Sequence, residues 1–322
     1  MIESHLVPAA GCPRRITRRE WTKLAAAAAL LAVRSPACAA ALSWDAPYAG
    51  ALGAGRRYRV DAQVVLFSVP LVRRAGVGAG TAAWRESADG EATTRVLEFA
   101  AFSFPEHAAG LNRLGFIQER IRIAETGMDE AIYFGLMTAS AEESAGEARK
   151  ALHSTASRAV YTAVDAHIRG HSMETATARF TAPTQLAGHR TELERMAREA
   201  LAAAPRQSVN LSPESETPPP FLQALAELLR RPVGGEGRYI YNGRYYRLQL
   251  RRSADPKTGE HFRARGLASG VVVAVTGTLQ RAGDGKPIEF RLWVDESAQR
   301  PLPLRIEYQP KPYLRLAFEA EA

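Results

Sequence analysis

Residues 271–295 read VVVAVTGTLQRAGDGKPIEFRLWVD, and this stretch decides the fold class. Val271 to Val275 is an apolar, β-branched run of strand length. Asp284-Gly285 then supplies the positive φ angles that a tight hairpin turn needs. Beyond it, Ile288, Phe290, Leu292 and Val294 fall on one face of an extended chain, and Glu289, Arg291, Trp293 and Asp295 on the other. The pattern predicts two antiparallel strands joined by a turn.

The same grammar recurs outward in both directions. Asp89-Gly90 separates Thr81–Glu86 from Thr93–Phe99, and Asn242-Gly243 separates Arg238–Tyr241 from Arg244–Leu250. Leu304, Ile306 and Tyr308 alternate with polar residues, as do Leu314, Leu316 and Phe318. Helical periodicity is confined to three places. Leu186, Leu193, Met196, Ala200 and Leu201 form a stripe through Gln185–Ala204. Phe221, Leu222, Leu225, Leu228 and Leu229 form a second, started by Pro218-Pro219-Pro220 and stopped before Pro232. Ala141–His153 is a weaker third. Residues 205–220 are rich in Pro, Ser and Glu and read as a flexible loop. No repeat of solenoid period is present. The expected class is mainly β, a β-rich α+β protein with two or three helices packed on an antiparallel sheet.

Charge and cysteine count exclude several classes. The chain has 322 residues, 42 Lys+Arg against 34 Asp+Glu, and only 2 cysteines. Two cysteines build neither a disulfide framework nor a four-cysteine zinc site. Of the net +8, residues 1–39 hold six bases and two acids, which leaves 36 bases against 32 acids, or +4, for residues 40–322. Arg56-Arg57, Arg73-Arg74, Arg230-Arg231 and Arg251-Arg252 are doublets scattered among acids, and no nucleic-acid footprint emerges.

The basic N-terminus reads as an export signal. Arg18 and Arg19, with Trp21 and Lys23 at fixed spacing, resemble the motif read by the twin-arginine export machinery. Leu24 to Val33 follows, too short for a membrane span of about 20 residues. Ala37-Cys38-Ala39 supplies a small-residue cleavage site, with Ala39 the last residue removed. The expectation is a signal peptide at 1–39, a single β-rich periplasmic domain at 40–322, and no transmembrane segment in the mature chain. Two alternatives remain open: an amphipathic N-terminal helix, and lipoprotein anchoring at Cys38.

A family resemblance rests on several stretches taken together. They are Tyr58–Val64 with Phe67-Ser68-Val69-Pro70, then Gly80-Thr81-Ala82 and Trp84-Arg85-Glu86, and then Phe221–Pro232. Leu292-Trp293-Val294-Asp295 and Pro301-Leu302-Pro303-Leu304-Arg305-Ile306-Glu307 complete the set. The chain resembles domain-of-unknown-function family 3108, exported bacterial envelope proteins, over roughly 57–86 and 221–316. That resemblance implies a fold like the lipoprotein carriers LolA and LolB, a curved antiparallel sheet or unclosed barrel with helices against its concave side. Residues 102–204 do not align with it. The family offers no catalytic residues to carry over.

Candidate chemistry is sparse. Gly170-His171-Ser172-Met173-Glu174 starts like a nucleophile elbow, but Glu174 occupies the second glycine position, so a hairpin turn at Arg169-Gly170 is the expectation. Asp165, His167 and His171 could converge as metal ligands, which would make the alternative function that of an exported hydrolase or metal-dependent enzyme. Gly76–Thr81 precedes a strand instead of opening a helix, so it reads as a bend in a sheet and not as a phosphate loop. No metal or cofactor is expected. A two-residue turn at Asn242-Gly243 pairs Tyr239 with Tyr246. Those two, with Trp84 and Trp293, are the candidate ligand-binding residues. The functional expectation is a non-enzymatic periplasmic binding, carrier or assembly protein for a lipid or other apolar envelope component.

Overall fold

The computed structural model describes residues 53–66, 69–104, 106–108, 113–139, 158–183, 186, 189–211, 217–241, 243–282, 287–311 and 314–322. The expected export signal, the Ala141–His153 helix, Asn242 and the Asp284-Gly285 turn lie outside these residues. The first wing of strands comprises β1 (Gly53–Leu66), β2 (Val69–Asp89), β3 (Ala92–Ser103), β4 (Leu114–Ala124), β5 (Gly127–Thr138), β6 (Arg158–Arg169) and β7 (Ser172–Pro183). Helix α1 (Arg190–Ala202), β8 (Arg206–Asn210) and helix α2 (Phe221–Arg230) follow. The second wing is β9 (Gly235–Tyr241), β10 (Arg244–Ala254), helix α3 (Pro256–Ala264), β11 (Val272–Arg281), β12 (Ile288–Asp295), β13 (Arg305–Lys311) and β14 (Leu314–Ala320).

All fourteen strands form one antiparallel sheet in the order β8-β7-β6-β5-β4-β3-β2-β1-β14-β13-β12-β11-β10-β9. Each wing is a meander, and the first and last strands join them from Tyr58↔Ala320 to Val64↔Leu314. The two edges, β8 and β9, are consecutive in the chain yet form no ladder with each other. Joining them would make an up-and-down barrel. About eight strands already leave an interior just wide enough for side chains, so fourteen would enclose a wide space.

The sheet curls until its edges meet. Tyr241 of β9 stacks on Tyr133 of β5, with ring centroids 5.8 Å apart. A Cβ on Gly243 would lie 3.3 Å from Met173 Cε and 3.5 Å from Val209 Cγ2. Part of the bending is local to β2. Gly76 takes a φ of 64°, and the β1–β2 register shifts between Val60 and Ala62. The glycine-rich segment 76–81 is thus a bend within a strand.

The helices lie on both sides of the sheet. α2 sits in the concavity, where Leu222 and Ala226 meet Trp84 and Leu97 of one wing. Ala224, Leu228 and Leu229 meet Tyr239, Leu248, Val275 and Leu292 of the other. We call this the inner face. α1 covers the outer face, its Leu193, Ala197 and Leu201 packed on Phe116, Phe134, Tyr161 and Ala178. α3 covers the outer face of β11 and β12 through Phe262, which packs with Val272, Ala274 and Trp293. The helices therefore do not all lie on the concave side, as the family resemblance implies. The outer face of these strands is itself apolar and needs cover of its own.

Two sequence expectations need correction. Within 205–220, Arg206–Asn210 forms edge strand β8, from Ser172↔Asn210 to Ala176↔Arg206. Backbone hydrogen bonds along an open edge hold this strand, and they require little apolar side chain. Trp293 alternates onto the polar side of its strand as expected, but α3 buries that side. No described helix is long and apolar enough to cross a membrane.

Candidate functional site

Strand alternation and register define successive rows of inner-facing side chains. One runs Trp84↔Leu97↔Glu119↔Tyr133↔Ala166↔Thr175 across β2 to β7. Two residues further along each strand, a second row runs Phe99↔Ile117↔Gly135↔Val164↔Thr177. The third is Gly80↔Ala101↔Gly115↔Met137↔Thr162↔Arg179.

α2 seals the level of the first of these rows. Its N-cap is Pro220, which has no side-chain acceptor, so the free N–H groups of the first turn need a partner elsewhere. Glu119, about a hundred residues earlier in the chain, provides it. Its Oε1 accepts from the Leu222 N–H at 2.9 Å and its Oε2 from the Gln223 N–H at 3.0 Å. The Gln223 side chain donates back to the Glu119 carbonyl at 3.3 Å. Burial pushes the Glu119 carboxyl up to about 8, against the pull of the N–H groups of Leu222, Gln223 and Phe221. Beside it, Trp84 lies beneath the guanidinium groups of Arg230, at 4.6 Å, and Arg95, at 5.5 Å. Both arginines also bind Glu86. This end is a packed floor.

The opposite end is open. A Cβ built on Gly115 or Gly135, in the upper rows, would meet nothing within 4 Å. On the second wing, by contrast, a Cβ on Gly277 would collide with the Phe290 ring at 2.1 Å. Met137, Val160 and Ile288 are 42%, 45% and 47% exposed. All three occupy inner-facing positions at the ends of β5, β6 and β12 furthest from α2. Phe99, Ala101 and Ile117 behind them are only partly covered, as are Leu314, Leu316 and Tyr308 on the second wing. Isolated exposed apolar residues are ordinary, whereas these share one concave face.

The four aromatic candidates separate. Tyr239 and Tyr246 pair in register, stack at 5.0 Å with a 13° interplanar angle, and stand on the inner face. Phe221 of α2 packs against Tyr239 at 5.1 Å. Burial raises the Tyr239 hydroxyl well above the ordinary tyrosine range. Trp84 faces inward but is sealed under α2. Trp293 lies on the outer face, where its Nε1 donates to Asp255 at 2.9 Å and Arg291 stacks on its ring at 4.6 Å.

Asp165, His167 and His171 each have separate partners. Asp165 pairs with Arg206 at 3.0 Å, the His167 Nε2 lies 2.7 Å from Glu130, and His171 lies 3.5 Å from the Thr217 hydroxyl. Among the described residues, no group of three His, Cys, Asp or Glu side chains is placed to hold a metal ion. Gly170, with a φ of 52°, and His171 form the turn between β6 and β7, so Ser172 opens a strand and sits on no elbow.

Two features went unread in the sequence. Glu119 follows Gly115 and Ile117 and precedes Ile121 at alternate positions, and an acid on an apolar row is a visible signal of a buried role. Asp255-Pro256 before Thr258 is an N-cap followed by a first-position proline, and it marks the start of α3.

No family model matches the chain, and no curated protein matches it. Among solved structures, it is similar to a β-barrel-like protein of domain of unknown function DUF1849 from Brucella abortus. The TM-score is 0.46 and the identity 8%, over 86% of this chain and 98% of that one.

Proposed function

We propose that this chain is an exported, non-enzymatic protein of the bacterial envelope whose sheet interior holds an apolar or amphiphilic molecule. One observation carries the reading. Inner-facing apolar side chains at the unplugged end stay exposed beside glycines that face open space. Apolar surface left in water costs about 25 cal/mol per Å², which an apolar occupant of the concavity would recover. The export part rests on Arg18, Arg19, Trp21, Lys23 and the cleavage site at Ala39.

The test is occupancy. Protein purified without detergent and extracted with organic solvent is expected to release an apolar envelope component, and Gly135→Trp, which fills the open space, is expected to release none. If the wild type comes out empty and binds an apolar fluorophore such as N-phenyl-naphthylamine no better than Gly135→Trp does, the reading is wrong. For export, replacing Arg18 and Arg19 with lysine is expected to leave the precursor in the cytoplasm. Continued release of a chain that starts at Ala40 would contradict it.

A further inference from the structure

The open space over Gly135 borders a group of phenols. Gly135 follows Tyr133 by two positions on β5, so the two face inward together, and a Cβ on Gly135 would meet nothing within 4 Å. Tyr241 of β9 stacks on Tyr133 at 5.8 Å, and Tyr239 shares a face of β9 with Tyr241. Tyr239 packs in turn on Tyr246 of β10, at 5.0 Å, and on Phe221 of α2, at 5.1 Å. Glu119 is the register partner of Tyr133, and it holds the first turn of the same helix. Rows, stacks and helix thus bring three tyrosines of the second wing to one corner, where the floor meets the open rows.

A tyrosine hydroxyl taken out of bulk water ordinarily finds a hydrogen-bond partner. Among the described residues, no hydrogen bond ties the hydroxyls of Tyr239, Tyr241 and Tyr246, and none of the three is sealed in the core as the Tyr161 hydroxyl is. Burial nevertheless raises the Tyr239 and Tyr241 hydroxyls above the ordinary tyrosine range, with Tyr246 and Glu119 adding to the rise. The hydroxyls are sheltered, within reach and unpartnered. Both Glu119 oxygens, by contrast, already accept from α2. Arg244 and Arg281, the register partners of Tyr241 and Tyr246, are exposed to solvent.

We propose that the molecule held in the interior is an amphiphile with an uncharged, hydroxyl-bearing head, bound head inward. Its hydroxyls bond the phenols of Tyr239, Tyr241 and Tyr246, and its chain runs past Gly135 and Ile117 toward the mouth. Phenols suit such a head because each donates and accepts without carrying charge. A carboxylate or an ammonium would lose its hydration in this corner, where the one acid is engaged and the arginines stay in solvent. The inference rests on the apolar-interior reading and adds the class and direction of the head.

The experiment compares monoolein, methyl oleate and oleate on the full chain, with displacement of N-phenyl-naphthylamine as the readout. Monoolein and methyl oleate share the acyl ester and differ in the glycerol hydroxyls. Monoolein is expected to bind at least about tenfold more tightly than either of the others. Tyr239→Phe, Tyr241→Phe and Tyr246→Phe together keep the rings and remove the hydroxyls. This variant is expected to bind monoolein only as well as methyl oleate, whose own binding is unchanged and shows that the variant is folded. Equal affinity of the wild type for monoolein and methyl oleate would overturn the hydroxyl head and leave the apolar interior standing. Tighter binding of oleate than of monoolein would overturn the uncharged head. A monoolein preference that survives in the phenylalanine variant would overturn its place at the tyrosines. Failure of all three compounds would overturn the interior reading itself.

Discussion

The floor and the mouth of the concavity are built from the same strands with the same alternation, yet they differ in cover. At the floor, Leu97 and Glu119 face inward and meet Ala226, Leu222 and the first turn of α2. One row up, Ile117 faces the same way and is only partly buried, and a Cβ on Gly135 would meet nothing within 4 Å. The difference originates outside the strands: α2 is ten residues long and reaches only one end of a fourteen-stranded sheet. A strand pattern therefore specifies which side chains share a face, while a separate element decides whether that face is covered.

Floor and mouth are expected to differ most at α2. Leu228 is fully buried between α2 and the second wing, so Leu228→Ala is expected to cost about 2–5 kcal/mol in urea unfolding. Met137→Ala at the mouth is expected to stay within about 0.5 kcal/mol of wild type. Equal costs would mean that the mouth is as packed as the floor.

A second, smaller effect concerns Glu119. Its carboxyl is raised from 4.5 to about 8 in the fold, so the folded chain holds its proton more tightly than the unfolded chain. That contribution to stability is complete below 4.5 and is lost as the pH rises through about 8. Relative to Glu119→Gln, the wild type is expected to lose on the order of a few kcal/mol across that window. Other carboxylates run oppositely. Glu130 is held low by its hydrogen bond from His167, and Asp255 by that from Trp293, and both lose their contribution on acidification. The variant difference isolates Glu119. Parallel pH profiles for the two proteins would remove its special status.

Glycine substitutions give a finer contrast. Gly277→Ala drives a methyl into the Phe290 ring and is expected to cost about 1–3 kcal/mol. Gly135→Ala meets nothing and is expected to be neutral or stabilising by up to about 1 kcal/mol. A melting-temperature loss at both sites would mean that the space over Gly135 is filled by the protein itself.

Much of the sheet was legible because hairpins are local. Tyr246 pairs with Tyr239 in the register expected of a two-residue connection, and Ile288 to Val294 alternate as expected. Helices α1 and α2 were legible from their stripes, α2 almost to the residue. Non-local facts were hidden. Trp293 looked surface-facing because nothing in its own strand announces α3 above it. Arg206–Asn210 looked like a loop because an edge strand lives on backbone pairing. Alternation sorted residues into two faces without saying which one curls inward, so Trp84 and Trp293 looked equivalent, whereas the fold sets them on opposite faces.

Thiol accessibility reports whether one concave face is sealed at α2 and open beyond it. Cys12 and Cys38 are the chain's two cysteines. In a Cys12→Ser, Cys38→Ser background, Ile117→Cys is expected to react readily with a small maleimide in native buffer. Leu97→Cys, one row lower on the same face, is expected to react only on unfolding. Similar slow rates at both positions would contradict an open interior, and similar fast rates would contradict the α2 floor.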